Sequence, residues 1–390
     1  MKKKVLSIVL AGALVAGTVV PTMVYATDEP SNKPVQSEET TKEVPKYEVL
    51  RMKGTNRYFT AIEASKKTFK EVEAVKYVAV ATGEEFVDGL VGGSLTAQGE
   101  FPLLLTKKDT ILDETLAEIE RIQPEEVFIL GGEAAVSKKV EEKIQEKIGE
   151  EVKITRLAGK TRFETAEAIG LKRAQLLDPE VKKLDENKHL INASNFADAL
   201  SAAPFLATGA ANEKDTYPLI PFNGDDDQKG INYVFGGKAV VSASGKARLS
   251  GSNRYETATV VANAYKSVLG VEIDTIVLVS GEEFPDGLTS ASVAKMNNAA
   301  ILLTGSEELP IVVKQYLSLN ENIKNIIIVG GEKAVSSEIE KALKDLTAKE
   351  EVDVETTDSK EEDGSTDATT GEVGSGGETG NETVSTNSGA

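Results

Sequence analysis

Three sets of arginines and aspartates, repeated in constant order, are the residues of this chain best suited to chemistry. The arginines stand in Arg51-x-x-Gly-x-x-Arg57-Tyr58-x-Thr60-Ala61, Arg156-x-x-Gly-x-x-Arg162-Phe163-x-Thr165-Ala166 and Arg248-x-x-Gly-x-x-Arg254-Tyr255-x-Thr257-Ala258. The aspartates follow in Gly83-Glu84-Glu85-Phe86-Val87-Asp88-Gly89-Leu90 and Gly281-Glu282-Glu283-Phe284-Pro285-Asp286-Gly287-Leu288. A worn middle copy reads Ala193-Ser194-Asn195-Phe196-Ala197-Asp198-Ala199-Leu200. Arg57, Arg162 and Arg254 fall at helix starts, where a positive side chain opposes the helix dipole and needs another justification. One justification is anion recognition, in which the guanidinium fork and the helix N–H groups grip a phosphate or carboxylate. Asp88, Asp198 and Asp286 could then bind sugar hydroxyls or orient the arginine. The other is architectural, with Arg57 pairing with Asp88 or with a neighbouring repeat and pinning the helix to the turn. Arg51, Arg156 and Arg248, at strand ends near the repeat junctions, read first as structural.

Other chemistries fare worse. A glycosidase needs two carboxyls about 5–10 Å apart across a cleft. Only one Asp recurs per copy, although Glu84 and Glu85, or Glu282 and Glu283, could supply a second in the two full copies. A hydrolase is therefore the alternative to binding. A nucleotide- or solute-binding protein is favoured only by fold analogy. The chain has no Cys and a single His, His189. That excludes a disulfide framework, a thiolate metal site and a cysteine nucleophile. His189, between Lys188 and an apolar strand, reads as incidental. The turns Gly131-Gly132, Gly236-Gly237 and Gly330-Gly331 lack the glycine spacing or lysine of phosphate-cradling loops. Tight strand-to-helix turns explain them, and no cofactor or metal is called for. Asp225, Asp226 and Asp227 are consecutive rather than alternating as a calcium loop requires, and read as a solvated loop.

The elements that hold these residues are strands alternating with helices. In the first copy, apolar runs place strands at 47–52, 77–82, 102–106 and 127–130. Helices are expected over 58–69, from the Asp88 turn to Gln98, over 113–121 and over 137–148. The continuous apolar run around Leu103-Leu104-Leu105 reads as a strand covered on both faces, hence a parallel sheet sandwiched by helices. The middle copy has Pro218-Leu219-Ile220-Pro221 in that place, and a proline there argues against a central strand. It is also shorter between this run and its Gly-Gly turn, so one helix is missing.

The chain is 390 residues long with a formal charge of −19, which makes nucleic acid an unlikely partner on electrostatic grounds. Residues 1–26 read as a secretory signal peptide, with Lys2, Lys3 and Lys4, an apolar run and a small-residue cleavage site at Val24-Tyr25-Ala26. Residues 27–46 read as a flexible leader. The repeats are assigned to 47–150, 151–247 and 248–347. Residues 348–390, with twelve acidic and two basic residues, read as a disordered acidic tail. No hydrophobic stop-transfer stretch, lipid-anchor Cys or Leu-Pro-x-Thr-Gly signal is visible, so no membrane attachment is expected after signal cleavage. An exported chain of this kind stays on a cell by binding something there.

The ordered motifs, together with the Ile/Leu-Leu-Leu strand and the Gly-Gly-x-x-x-Val-Ser turn, resemble the cell wall binding repeat 2 family of clostridial surface proteins. The resemblance covers about Leu50 to Leu346. It implies an α/β fold of three tandem Rossmann-like units with parallel sheets, packed about a pseudo-threefold axis, in a monomer. It also implies non-covalent attachment to an anionic secondary polymer of a Gram-positive cell wall. The middle copy lacks the leucine triplet and the Gly before its Phe, which puts a third equivalent ligand site in doubt.

Overall fold

The computed structural model of the chain describes residues 46–184, 187–213, 217–222, 224 and 229–345. The segments read above as signal peptide and acidic tail, nearly all of the one read as leader, and the three consecutive aspartates lie outside the described residues. In the first repeat, β1 (Glu48–Met52) leads to α1 (Arg57–Thr68), β2 (Tyr77–Thr82), α2 (Val87–Gly99) and β3 (Leu103–Thr106). There follow α3 (Asp113–Ile122), β4 (Glu126–Leu130) and α4 (Lys138–Ile148). The second contributes β5 (Lys153–Leu157), α5 (Arg162–Leu177), β6 (Lys188–Asn192), α6 (Ala197–Glu213), β7 (Leu219–Phe222) and β8 (Ile231–Phe235). The third begins at β9 (Ala247–Leu249) and continues with α7 (Arg254–Ser267), β10 (Thr275–Ser280), α8 (Ser290–Met296) and β11 (Ala299–Thr304). It ends in α9 (Ile311–Leu319), β12 (Asn325–Val329) and α10 (Ser337–Asp345).

These strands make three four-stranded parallel sheets, ordered β3-β2-β4-β5, β7-β6-β8-β9 and β11-β10-β12-β1. The central strands β2, β10 and β12 are buried at every position except the first of β2 and β12, as the uninterrupted Val, Ile and Leu runs require of a sheet covered by helices on both faces. Pro221 sits in β7, which is an edge strand, so its missing N–H costs no ladder bond inside the sheet. Between β7 and β8 the described residues, 224, 229 and 230, hold no counterpart of α3 or α9.

Each sheet borrows its fourth strand. β5 closes the first sheet and β9 the second, although both open the repeat that follows. The third sheet is closed by β1 from the far end of the chain, with Glu48 to Met52 registered against Asn325 to Val329. The three repeats thus form a closed ring.

Its centre is built from small residues. Helices α2, α6 and α8 pack on one another. A Cβ on Gly93 of α2 would stand 3.1 Å from the Cβ of Ala291 and 3.4 Å from that of Ala203, its counterparts on the other two. At one end of this axis the motif phenylalanines meet, with ring centroids 5.5 Å apart for Phe86 and Phe284, 6.1 Å for Phe196 and Phe284, and 6.4 Å for Phe86 and Phe196.

Candidate functional site

The recurring Arg-x-x-Gly-x-x-Arg-(Tyr/Phe)-x-Thr stretch is a strand end, a cap and a helix start. The N–H of Gly54 donates to Thr60 Oγ1 at 3.1 Å, and Gly159 and Gly251 donate to Thr165 and Thr257 at 3.0 Å. This bond folds the strand exit onto the first helical turn. Asn56 accepts from the N–H groups of Tyr58 and Phe59, Asn253 from those of Tyr255 and Glu256, and Thr161 from that of Glu164. Such caps satisfy N–H groups that a helix start leaves open. Arg57, Arg162 and Arg254 are thereby fixed as the first helical residues, beside the C-terminal ends of the strands.

The two arginines of each copy have different surroundings. Arg51 donates to the carbonyls of Gly330 and Val335 at 2.9 Å and of Ser336 at 3.2 Å, and to the Glu340 carboxylate at 2.5 Å. Its side chain is only 6% exposed. Arg156 donates to the carbonyls of Gly131 and Val136 and to Glu141. Arg248 donates to the carbonyls of Gly236 and Ala243. In every case the arginine on the borrowed strand holds the Gly-Gly loop of the sheet that borrows it. These guanidiniums fasten the ring, Arg51 and Arg156 with an acid as well as carbonyls and Arg248 with carbonyls alone.

Among the described residues, Arg57, Arg162 and Arg254 each make a single hydrogen bond, to the carbonyls of Gly83, Ala193 and Gly281 respectively. The stems of Arg57 and Arg254 lie against those glycines. A Cβ there would come 3.0 Å from Arg57 Cδ or 3.3 Å from Arg254 Cδ, which accounts for glycine at 83 and 281. Ala193 stands at this place in the middle copy, and Arg162 is exposed where the other two are half-buried. The guanidiniums reach across the junction to the preceding repeat. That of Arg57 lies 5.8 Å from the centre of the Phe284 ring, and that of Arg254 lies 5.7 Å from the Phe196 ring, within cation–π range.

The aspartates meet them there. A cleft of about 820 Å3 brings Arg57 to Asp286, along with Lys53, Asn56, Glu283 and Gly331. Burial raises the Asp88 carboxyl above its ordinary range, with Arg162 opposing the rise and Glu85 adding to it. Burial likewise raises Asp198, opposed by Arg254 and by a hydrogen bond from Thr257. Each arginine thus comes near an aspartate of the preceding repeat: Arg57 shares a cleft with Asp286, and Arg162 and Arg254 lie close enough to Asp88 and Asp198 to act on their charge. Arg57 is set against a neighbouring repeat rather than against Asp88.

Each aspartate also sits over the Gly-Gly turn of its own repeat. Gly331 N–H donates to Asp286 Oδ2 at 3.3 Å. Gly131, Gly236 and Gly330 have φ of 100°, 109° and 137°, in the region that side chains disfavour. A Cβ on Gly131 or Gly236 would overlap the carboxylate of Asp88 or Asp198. The turns seat the acids, and sequence reasoning saw only their tightness.

Among the remaining candidates, Glu84 accepts from the Lys108 N–H at 3.0 Å and Glu282 from the Ser306 N–H at 3.2 Å. Each ties the aspartate turn to the loop after the edge strand, and all four glutamates of these turns, Glu85 and Glu283 included, are exposed. His189 is buried in β6, accepting from the Tyr233 N–H at Nδ1 and stacked on the Tyr233 ring. The phenylalanines, readable as core, were not readable as the meeting point of three repeats. Their recurrence at one fixed offset from the Asp was the available signal.

A closed ring of three parallel α/β repeats, each sheet completed by a strand of a neighbouring repeat, defines a triple-repeat module. The chain belongs to the cell wall binding domain 2 (CWB2) family, matched over residues 51–141, 156–246 and 248–340. It is 28% identical over 313 residues to the N-acetylmuramoyl-L-alanine amidase LytC of Bacillus subtilis (strain 168), covering 76% of this chain and 58% of that protein. It is also 28% identical over 308 residues to the amidase enhancer of Bacillus subtilis (strain 168), covering 76% of this chain and 40% of that one. Among solved structures, Cwp6 from Clostridium difficile superposes with a TM-score of 0.61 at 25% identity, over 78% of this chain and 50% of that one. Cwp8 from Clostridium difficile gives 0.62 at 26%, over 76% and 51%. The chain thus spans about half the length of the relatives it matches.

Proposed function

We propose that this chain is an exported, wall-attached protein whose triple module binds an anionic secondary polymer of the Gram-positive cell wall without covalent attachment. The observation that carries this reading is the division of labour between the arginines. Arg51 and Arg156 each make four hydrogen bonds to the protein and Arg248 two, whereas among the described residues Arg57, Arg162 and Arg254 make one each, which leaves most of the fork for a ligand. A guanidinium suits phosphate or carboxylate because it presents paired, permanently charged donors in one plane. Family membership favours the wall as the place where that anion is met.

Binding is preferred to hydrolysis. The amidase relative extends well beyond the matched part, so its activity does not carry over to this chain. Glu84 and Glu282, the acids best placed to supplement the aspartates, are held by loop N–H groups. The test is co-sedimentation of the full chain with purified Gram-positive walls, beside a variant carrying Arg57→Ala, Arg162→Ala and Arg254→Ala. Affinity falling at least tenfold at an unchanged thermal midpoint supports ligand contact. A variant that unfolds would make these arginines part of the scaffold.

A further inference from the structure

We infer that the middle repeat, which departs most from the motif, carries a binding cleft of its own for an anionic sugar unit. This rests on the wall-polymer reading above and names where that polymer is held. In the first and third repeats the mouth of the sheet is bridged by a side chain, because Glu84 reaches Lys108 N–H and Glu282 reaches Ser306 N–H. The middle repeat has Ser194 in that place, too short to span the gap. The backbone beneath is unchanged in kind. Asn192 Oδ1 accepts the Ser194 N–H at 2.8 Å, as Thr82 does for Glu84 and Ser280 for Glu282. Only the bridge is gone.

What remains is a cleft of about 510 Å3 at the C-terminal ends of β6 and β7 and the turn after β8. Open parallel sheets bind ligands at this edge, since strand ends and helix starts leave polar groups facing one crevice. The cleft is lined by Arg162, Asn192, Ser194, Ser242, Phe222 and Val240, among others. Arg162 is the one charged residue among its described lining groups. By contrast, the cleft at Arg57 is lined by Glu283, Asp286 and Glu332 as well as by lysines.

The lining has the chemistry of a sugar site. Asn192, Ser194 and Ser242 offer amide and hydroxyl groups to ring hydroxyls. Phe222 and Val240, the latter 47% exposed, offer an apolar wall to the C–H face of a pyranose. Arg162 is exposed, and its one hydrogen bond, to Ala193 O at 3.3 Å, leaves the fork open to a phosphate or carboxylate on the same unit. Loss of the motif residues thus reads as specialisation rather than decay.

The decisive variant is Ser194→Glu, which restores the acid that the other two repeats carry. Measured on the full chain with purified walls, it is expected to keep the thermal midpoint and to bind at least tenfold more weakly. Ser267→Glu, which adds the same charge on α7 away from the cleft, should bind as the parent does. If Ser194→Glu fails to fold, Arg162→Ala serves instead, with the same expected loss. A folded Ser194→Glu or Arg162→Ala chain that binds walls like the parent would overturn this inference and leave the wall reading standing. A parent chain that fails to bind walls would overturn both.

Discussion

At the scale of single residues, the sequence repeats two arginines per copy and the structure gives them opposite surroundings. Arg51 fills its donors with three carbonyls and Glu340. Arg51→Ala would leave those buried acceptors without partners, at a cost of about 3 kcal/mol. A thermal or urea melt should show it, whereas Arg57→Ala should move the midpoint far less. The acids make the balance pH-dependent in two directions. Asp88 and Asp198 are held above the ordinary carboxylate range, chiefly by burial. Their ionised forms therefore cost stability above the folded-state pKa, and protonation as pH falls through it relieves that cost. The same protonation strips negative charge from beside Arg162 and Arg254. Affinity for an anionic polymer should then rise as pH drops from neutral towards that range, and Asp88→Asn with Asp198→Asn should flatten the dependence. Glu126 and Glu340 behave oppositely. Burial would raise them, but bonds from Lys153 and Thr155 to Glu126, and from Lys344 and Arg51 to Glu340, hold both below the ordinary range. The stability they lend is present above their unfolded pKa and is lost as pH falls through the folded one. Acid should loosen the strand junctions even as it favours the ligand, and binding measured against melting across pH separates the two.

At the scale of elements, strands and helices were legible because each apolar run is uniform and bounded by Gly, Asn or Thr that cap and turn. Pro221 placed its strand at an edge. What could not be read was the partner of β1, β5 and β9. Parallel pairing is non-local, and nothing in Glu48 to Met52 names Asn325 to Val329 as its neighbour. For the same reason the arginines were legible as candidates while their aspartates were not. Arg57 and Asp88 are close in the motif, yet Arg57 faces Asp286 because the borrowed strand carries it to another sheet. Two substitutions test the packing. Gly131→Ala meets both a positive φ, which costs about 1–2 kcal/mol, and the Asp88 carboxylate. It should lower stability by more than that figure. Gly93→Leu forces a branched side chain against Ala203 and Ala291 on the axis, and overpacking of this kind costs about 1–3 kcal/mol. Calorimetry should show a lower and broader transition.

At the scale of the molecule, three borrowed strands make the repeats mutually dependent. The second repeat gives β5 away and takes β9 in exchange, so residues 151–247 alone lack a complete sheet. That fragment should show no full-height cooperative melt, and one that did would refute the interlocked ring. Removal of residues 46–52 should expose the edge of β12, abolish the Arg51 contacts and lower the midpoint of the whole module. Ring closure also assembles the cleft between Arg57 and Asp286, whose two walls come from opposite ends of the described chain. The measurement that bears most directly on the account is co-sedimentation of the full chain with Gram-positive walls, before and after mild acid strips their secondary polymers. Binding that is lost with the polymers, and weakened by salt as an arginine–anion contact must be, is the predicted result. Binding that survives stripping unchanged would place the ligand in peptidoglycan and contradict the anionic-polymer assignment.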